Sequence, residues 1–108
     1  MGENTEKIAL TEAVYYILLS LYTPLHGYGI MQNIMKISDG RVNLAAGTLY
    51  GALTTLQEKE WILALEDDEN SRKKTYEITD LGKVVVEAEI KRLEELVNNG
   101  HEIVRGRV

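Results

Sequence analysis

Cysteine is absent from the 108 residues. That removes disulfides, thiol nucleophiles and thiolate-held zinc together, and it fits a reducing compartment such as the cytoplasm. Proline occurs once, at Pro24, so the chain has a single enforced break. No apolar run reaches the roughly 18 residues that a membrane span needs, and no membrane partner is expected. Met1-Gly2-Glu3-Asn4-Thr5-Glu6-Lys7 is charged and lacks the apolar stretch of a secretion signal. The two histidines, His26 and His101, share no ligand spacing, so neither a metal nor a cofactor is expected. Gly27-Tyr28-Gly29 would need a third glycine where Gln32 stands, which rules out a dinucleotide loop. No nucleophile, base and orienting group form a recognisable set, so no catalysis is expected.

The composition, 44% hydrophobic and 27% charged, fits one domain. A monomer of this size buries only about two-thirds of its unfolded surface, so sharing a core with a second copy would help it. The net charge is −5, from 17 acidic and 12 basic residues, which argues mildly against a nucleic-acid partner. Distribution matters more than the sum. The acidic stretch 66–80 also holds Arg72-Lys73-Lys74, and a local basic tip can touch phosphate while the remaining surface stays acidic.

Hydrophobic periodicity divides the chain. Residues 1–8 form an arm. Leu10, Val14, Ile17, Leu18 and Leu21 recur at helical spacing, with Thr11 as N-cap and Pro24 as stop, giving a helix over about 10–23. A second helix opens at His26-Gly27-Tyr28, carries Ile30, Met31, Ile34, Met35 and Ile37 inward, and closes at Ser38-Asp39-Gly40. A third runs from about Ala45 to Lys59 on Leu49, Ala52, Leu53 and Leu56. Gly47 and Gly51 weaken it by roughly 1 kcal/mol each, which suggests that something approaches its backbone. The period then changes to that of strands, over 61–66 and 74–79, with a polar loop between. Thr79 caps a last helix over 80–99, ending at Asn99-Gly100, and 101–108 read as a frayed tail. Three helices, a two-stranded β-hairpin and a long helix make a mainly α fold, a winged helix-turn-helix over 9–79 with a dimerisation helix over 80–100.

Three segments keep the order and spacing of one family: Leu25-His26-Gly27-Tyr28-Gly29-Ile30, Gly47-Thr48-Leu49-Tyr50-Gly51-Ala52-Leu53 with Leu56, and Tyr76-Glu77-Ile78-Thr79-Asp80-Leu81-Gly82. On these the chain resembles the PadR-family transcriptional regulators, in the short-tailed subgroup. The resemblance implies a homodimeric repressor of double-stranded DNA, paired through the last helix packed with the first, and in some members released by a small-molecule effector. One position departs from the pattern, for Glu60 stands where the family usually has glycine. A left-handed Glu60 would cost on the order of 1 kcal/mol; otherwise the helix ends differently.

The expected DNA contacts are Tyr28, Asn43, Gly47, Thr48, Tyr50, Arg72, Lys73 and Lys74. Each has a plainer role beside it. Tyr50 is a half-buried boundary tyrosine or, as the resemblance implies, a contact to phosphate or sugar. Thr48 is a helix cap or reaches a phosphate or base edge, and Asn43 is a cap or a phosphate ligand. Tyr28 packs beneath the wing or reaches a phosphate. The basic run is a solvated turn or a wing contact to backbone or minor groove. Asp67-Asp68-Glu69 either pairs with that run or repels DNA from wrong poses. The expected dimer interface is Val14 and Leu18 with Val86, Ile90, Leu93 and Val97, and Glu87 with Lys91 is expected to pair on the wet face. Tyr15, Tyr16, Tyr22, Met31 and Met35 line an effector pocket or form core, and the last helix has no tryptophan to stack a flat drug. The rival use of this fold is a protein–protein adaptor, which the acidic charge fits.

Overall fold

A computed structural model describes residues 9–65 and 74–106. The arm, the acidic loop segment, Arg72 and Lys73 lie outside the described residues. The elements are α1 (Glu12–Ser20), β1 (Leu25–His26), α2 (Gly27–Ile37), α3 (Ala46–Glu58), β2 (Ile62–Leu65), β3 (Thr75–Ile78) and α4 (Asp80–Val104). The expected helices and both expected strands are present.

Thr11 caps α1, its Oγ1 accepting the Val14 N–H at 3.1 Å. The helix stops at Ser20, short of Pro24, because the next carbonyl is taken elsewhere: Leu21 O accepts the Ile78 N–H at 2.9 Å. The chain between Pro24 and α2 is extended and adds a strand that the periodicity did not predict. β1 pairs antiparallel with β3, Leu25 opposite Tyr76 and His26 opposite Thr75. The sheet is therefore three-stranded, in the order β1-β3-β2, rather than a two-stranded hairpin. A two-residue strand has no periodicity to read.

One core joins every layer. Ile17, Leu18 and Leu21 of the first helical segment meet Ile30 and Ile34 of α2, Leu49, Leu53 and Leu56 of α3, Ile62, Tyr76 and Ile78 of the sheet, and Val86 of α4. A polar tie crosses the α1–α2 contact, where Asn33 Nδ2 donates to Ser20 Oγ at 2.9 Å and Ser20 Oγ donates to the Tyr16 carbonyl at 2.8 Å. Two residues assigned to a dimer interface belong here instead. Leu18 is 0% exposed and Val86 1%, so neither has surface left for a partner.

The end of α3 settles the question raised by Glu60. Its φ is +66°. The Glu60 N–H bonds Gln57 O at 2.9 Å and the Trp61 N–H bonds Leu56 O at 3.0 Å, the paired bonds of a left-handed helix stop. The turn that favours glycine is kept, with a strain of about 1 kcal/mol. α2 closes in the same way, with the left-handed residues shared between Asp39 and Gly40.

Trp61 then serves as an anchor. Its carbonyl accepts the Thr79 N–H at 3.0 Å and lies 3.0 Å from Thr79 Oγ1, which also reaches Glu60 O at 2.8 Å. The same Oγ1 accepts the Gly82 N–H at 3.0 Å and caps α4. Gly82 has no room for a side chain, since a Cβ there would lie 2.2 Å from Trp61 O and 2.6 Å from Ile78 Cγ1.

From this anchor α4 runs through Asn99-Gly100 without a break and ends at Val104, so 101–104 are helix rather than tail. Twenty-five residues make a rod about 37 Å long. The radius of gyration is 16.2 Å, against about 13 Å for a rounded chain of this length. The charge pair on α4 is Glu89 with Arg92, at 2.9 and 2.7 Å; Glu87 and Lys91 form no ion pair. Glu89 is 3% exposed, and its hydrogen bonds from Arg92 hold its carboxyl below the ordinary range despite the burial.

Gly82→Ala should lower stability by about 2 kcal/mol or more, because a backbone carbonyl must move to admit the methyl. Urea denaturation reads this directly, and an unchanged midpoint would remove Trp61 O from its anchoring role.

Candidate nucleic-acid interface

The contacts around the start of α2 bring three distant stretches to one place. β1 pairing sets His26 against Thr75, which places Lys74 at the rim beside the first turn of α2. His26 caps that turn through Nδ1, which accepts the Gly29 N–H at 3.2 Å. Tyr50, one turn into α3, leans over Gly27 so closely that a Cβ on Gly27 would lie 2.1 Å from its hydroxyl oxygen. Behind it stands Tyr76, whose phenol is pushed up by burial and further by the neighbouring Tyr50.

Tyr28, Tyr50 and Lys74 are all exposed, on or next to the elements that meet there. Tyr28 is 61% exposed, which ends the reading that it packs beneath the wing. Tyr50 rests one side against α2 and leaves 48% of its surface open, the half-buried boundary tyrosine of its plainer reading.

Asn43, Gly47 and Thr48 are all exposed at the entry to α3. None of them caps the helix. The N-cap is Ala45, with no side-chain hydrogen bond, whereas Thr11, His26 and Thr79 cap the other three helices. The first turn of α3 therefore presents its backbone N–H groups, carrying the positive end of the helix dipole, toward solvent. A Cβ on Gly47 or Gly51 would meet nothing within 4 Å, so packing inside the protomer gives no reason for either glycine.

Two residues of this face escaped the sequence reading. Thr54 and Thr55 are exposed, and their hydroxyls donate to Tyr50 O at 3.1 Å and Gly51 O at 3.3 Å. Their spacing from Gly47 and Gly51, three to eight residues, was the available signal. Lys59, which follows α3, has its ammonium over the Trp61 ring at 5.1 Å.

On the other side of the protomer a groove of about 490 Å³ runs between α1 and α4, lined by Tyr15, Ile90, Leu93, Glu94, Val97 and Asn98. Burial pushes the Tyr15 phenol up, and the Glu89 charge adds to it. Beyond the groove Leu96, Val97, Ile103 and Val104 are exposed. Of the five residues considered for an effector pocket only Tyr15 lines this groove. Tyr16 and Met31 pack on the core, and Tyr22 is exposed beneath the Lys83 ammonium, 5.7 Å away; Met35 and Ile37 are exposed on the last turns of α2 rather than inward, because the stripe there runs past the edge of the core. Among the described residues no group of histidine and carboxylate side chains could hold a metal ion.

The Gly27–Tyr50 contact makes a clean double-mutant test. Gly27→Ala should destabilise the protein by about 1–2 kcal/mol, and should become neutral or better in a Tyr50→Ala background, where the methyl has room. Equal effects in both backgrounds would show that the two residues do not touch.

The profile of the transcriptional regulator PadR-like family matches residues 16–88. A PadR family transcriptional regulator from Eggerthella lenta superposes with a TM-score of 0.70 at 21% identity, over 84% of this chain and 80% of its own. A transcriptional regulator from Clostridium thermocellum gives 0.65 at 23%, over 90% and 92%. Lactococcus lactis ZitR in complex with DNA gives 0.62 at 18%, over 95% and 66%. At these identities the likeness is one of fold, the winged helix. A curated relative, an uncharacterised 37.1 kDa protein in transposon TN4556 of Streptomyces fradiae, is 39% identical over 66 residues; they are 61% of this chain and 18% of that protein, so the chain spans under a fifth of its relative. On the extent of the family profile and the fold that carries it, the chain belongs to the PadR-like family of transcriptional regulators.

Proposed function

We propose that the protein is a DNA-binding repressor acting as a homodimer. The observation that carries this is the open first turn of α3, without a side-chain cap, followed by the half-exposed Tyr50 that rests on Gly27 at the start of α2. Backbone N–H groups at a helix start bind phosphate oxygens, and a tyrosine hydroxyl and a lysine beside them extend the same contact. The DNA complex of the similarly folded ZitR supports the reading. Arg72 and Lys73 would add to the wing contact. The net charge of −5 alone favours the adaptor use.

Pairing through α4 follows from its length. Its core stripe continues past the domain as Leu93, Leu96, Val97, Ile103 and Val104, and exposed apolar surface of that extent on a rod is best covered by a second copy. Val14 and Ile90 border the same surface, packed at the edge of the core. Two such protomers would offer their α3 helices to successive major grooves about 34 Å apart. An apolar small molecule seated in the α1–α4 groove would act as effector by favouring one helix spacing over another. Action on DNA places the protein in the cytoplasm.

Fluorescence anisotropy with duplex from the chain's own upstream region tests the DNA reading. Affinity should fall steeply with salt as counterions are released, and Lys74→Ala should flatten the log–log slope by about one unit. Indifference to DNA at low salt would favour the adaptor. For pairing, Leu93→Glu should turn a dimer into a monomer in sedimentation; a dimer that survives the substitution would place the interface elsewhere.

A further inference from the structure

We infer that this chain reads thymine, through the γ-methyl groups of Thr54 and Thr55 set against the thymine C5-methyl in the major groove. The inference rests on the DNA-binding reading and deepens it.

α3 has little to offer a base edge. From Ala46 to Leu56 the helix has no arginine, lysine, asparagine or glutamine. The bidentate contacts that select guanine or adenine are therefore out of its reach. Gln57 lies instead beside β2, lining a separate recess with Ile62 and Leu63. Lys59 is held over Trp61. Glu58, at the last turn, carries a carboxylate that the phosphate backbone repels.

The exposed face is then Gly47, Thr48, Gly51, Thr54 and Thr55, with Tyr50 on its flank. Both later threonines have committed their one hydroxyl hydrogen to carbonyls four residues back. So placed, neither offers that hydrogen to guanine N7 or O6, to adenine N7 or to thymine O4. What remains is a weak acceptor and a methyl, and a threonine methyl makes favourable apolar contact with the thymine C5-methyl. Such short side chains reach a base edge only if the helix backbone comes close. Gly47 and Gly51 leave the space for that, since a Cβ at either would stand in open solvent.

The test uses a duplex selected from a random pool by the dimeric full-length protein, then resynthesised with deoxyuridine for thymine at each position. Uracil pairs as thymine does and lacks only the methyl. Binding should weaken about fourfold for each thymine methyl removed where a threonine meets it, the worth of one buried methylene. Replacing a G·C pair at such a position by 5-methylcytosine·G should gain over unmethylated cytosine, because the methyl occupies the same groove site. Thr54→Ser, which keeps the hydroxyl and loses the methyl, should erase the uracil penalty at one position in each half of the duplex, and Thr54→Val should retain it. A fully deoxyuridine duplex bound as tightly as its thymine parent would overturn the inference while leaving DNA binding intact. Failure to select any duplex would overturn the DNA reading and the inference with it.

Discussion

The carbonyl of Trp61 holds the architecture together. It accepts the Thr79 N–H, and Gly82 is pressed against it from the first turn of α4. One oxygen thus fixes the end of α3, the start of β2, the end of β3 and the root of α4. A 25-residue rod fixed at its root is a lever, and a small rotation there becomes a large displacement at Val104. The converse matters for regulation. If α4 is the seam between two copies, then this junction passes any change in the seam to α3, whose C-terminal stop immediately precedes it.

The interface is unusual in how little charge it carries. A chain of net charge −5 presents an α3 face built of glycine, threonine and tyrosine. On the proposed reading the labour would divide: affinity from helix-end N–H groups, the tyrosines and the wing cations, and base choice from methyl contacts and DNA shape. The close approach of Tyr50 to Gly27 ties the two halves of this surface together, since the tyrosine that flanks the groove-facing ridge also rests on the helix next to the wing.

Much of this was legible in the sequence, and the failures have physical causes. Thr11 and Thr79 were readable as caps because a threonine before an apolar period has one natural use. Glu60 left two endings open, a left-handed stop or a different helix end, and its φ of +66° decides for the first. The end of α4 was misplaced at Gly100, because a glycine lowers helix propensity without forbidding the helix, and Ile103 and Val104 resume the stripe behind it. Leu18 and Val86 were assigned to a dimer seam because a continuous stripe does not say where the protomer's core ends and its surface begins. Glu89 gave no signal, since a buried carboxylate is recognisable only once Arg92 is seen clasping it. Thr54 and Thr55 were passed over because their hydroxyls look like polar surface until their back-bonding is known.

The central claim is that two copies, joined along α4, hold their α3 helices one turn of DNA apart. The absence of cysteine makes that distance measurable, because a single Thr55→Cys places one spin label on each protomer. Double electron–electron resonance on the free protein should give one population centred near about 34 Å, widened by the label linkers. Absence of any dipolar coupling, or a separation incompatible with neighbouring major grooves on one face of a duplex, would contradict the account.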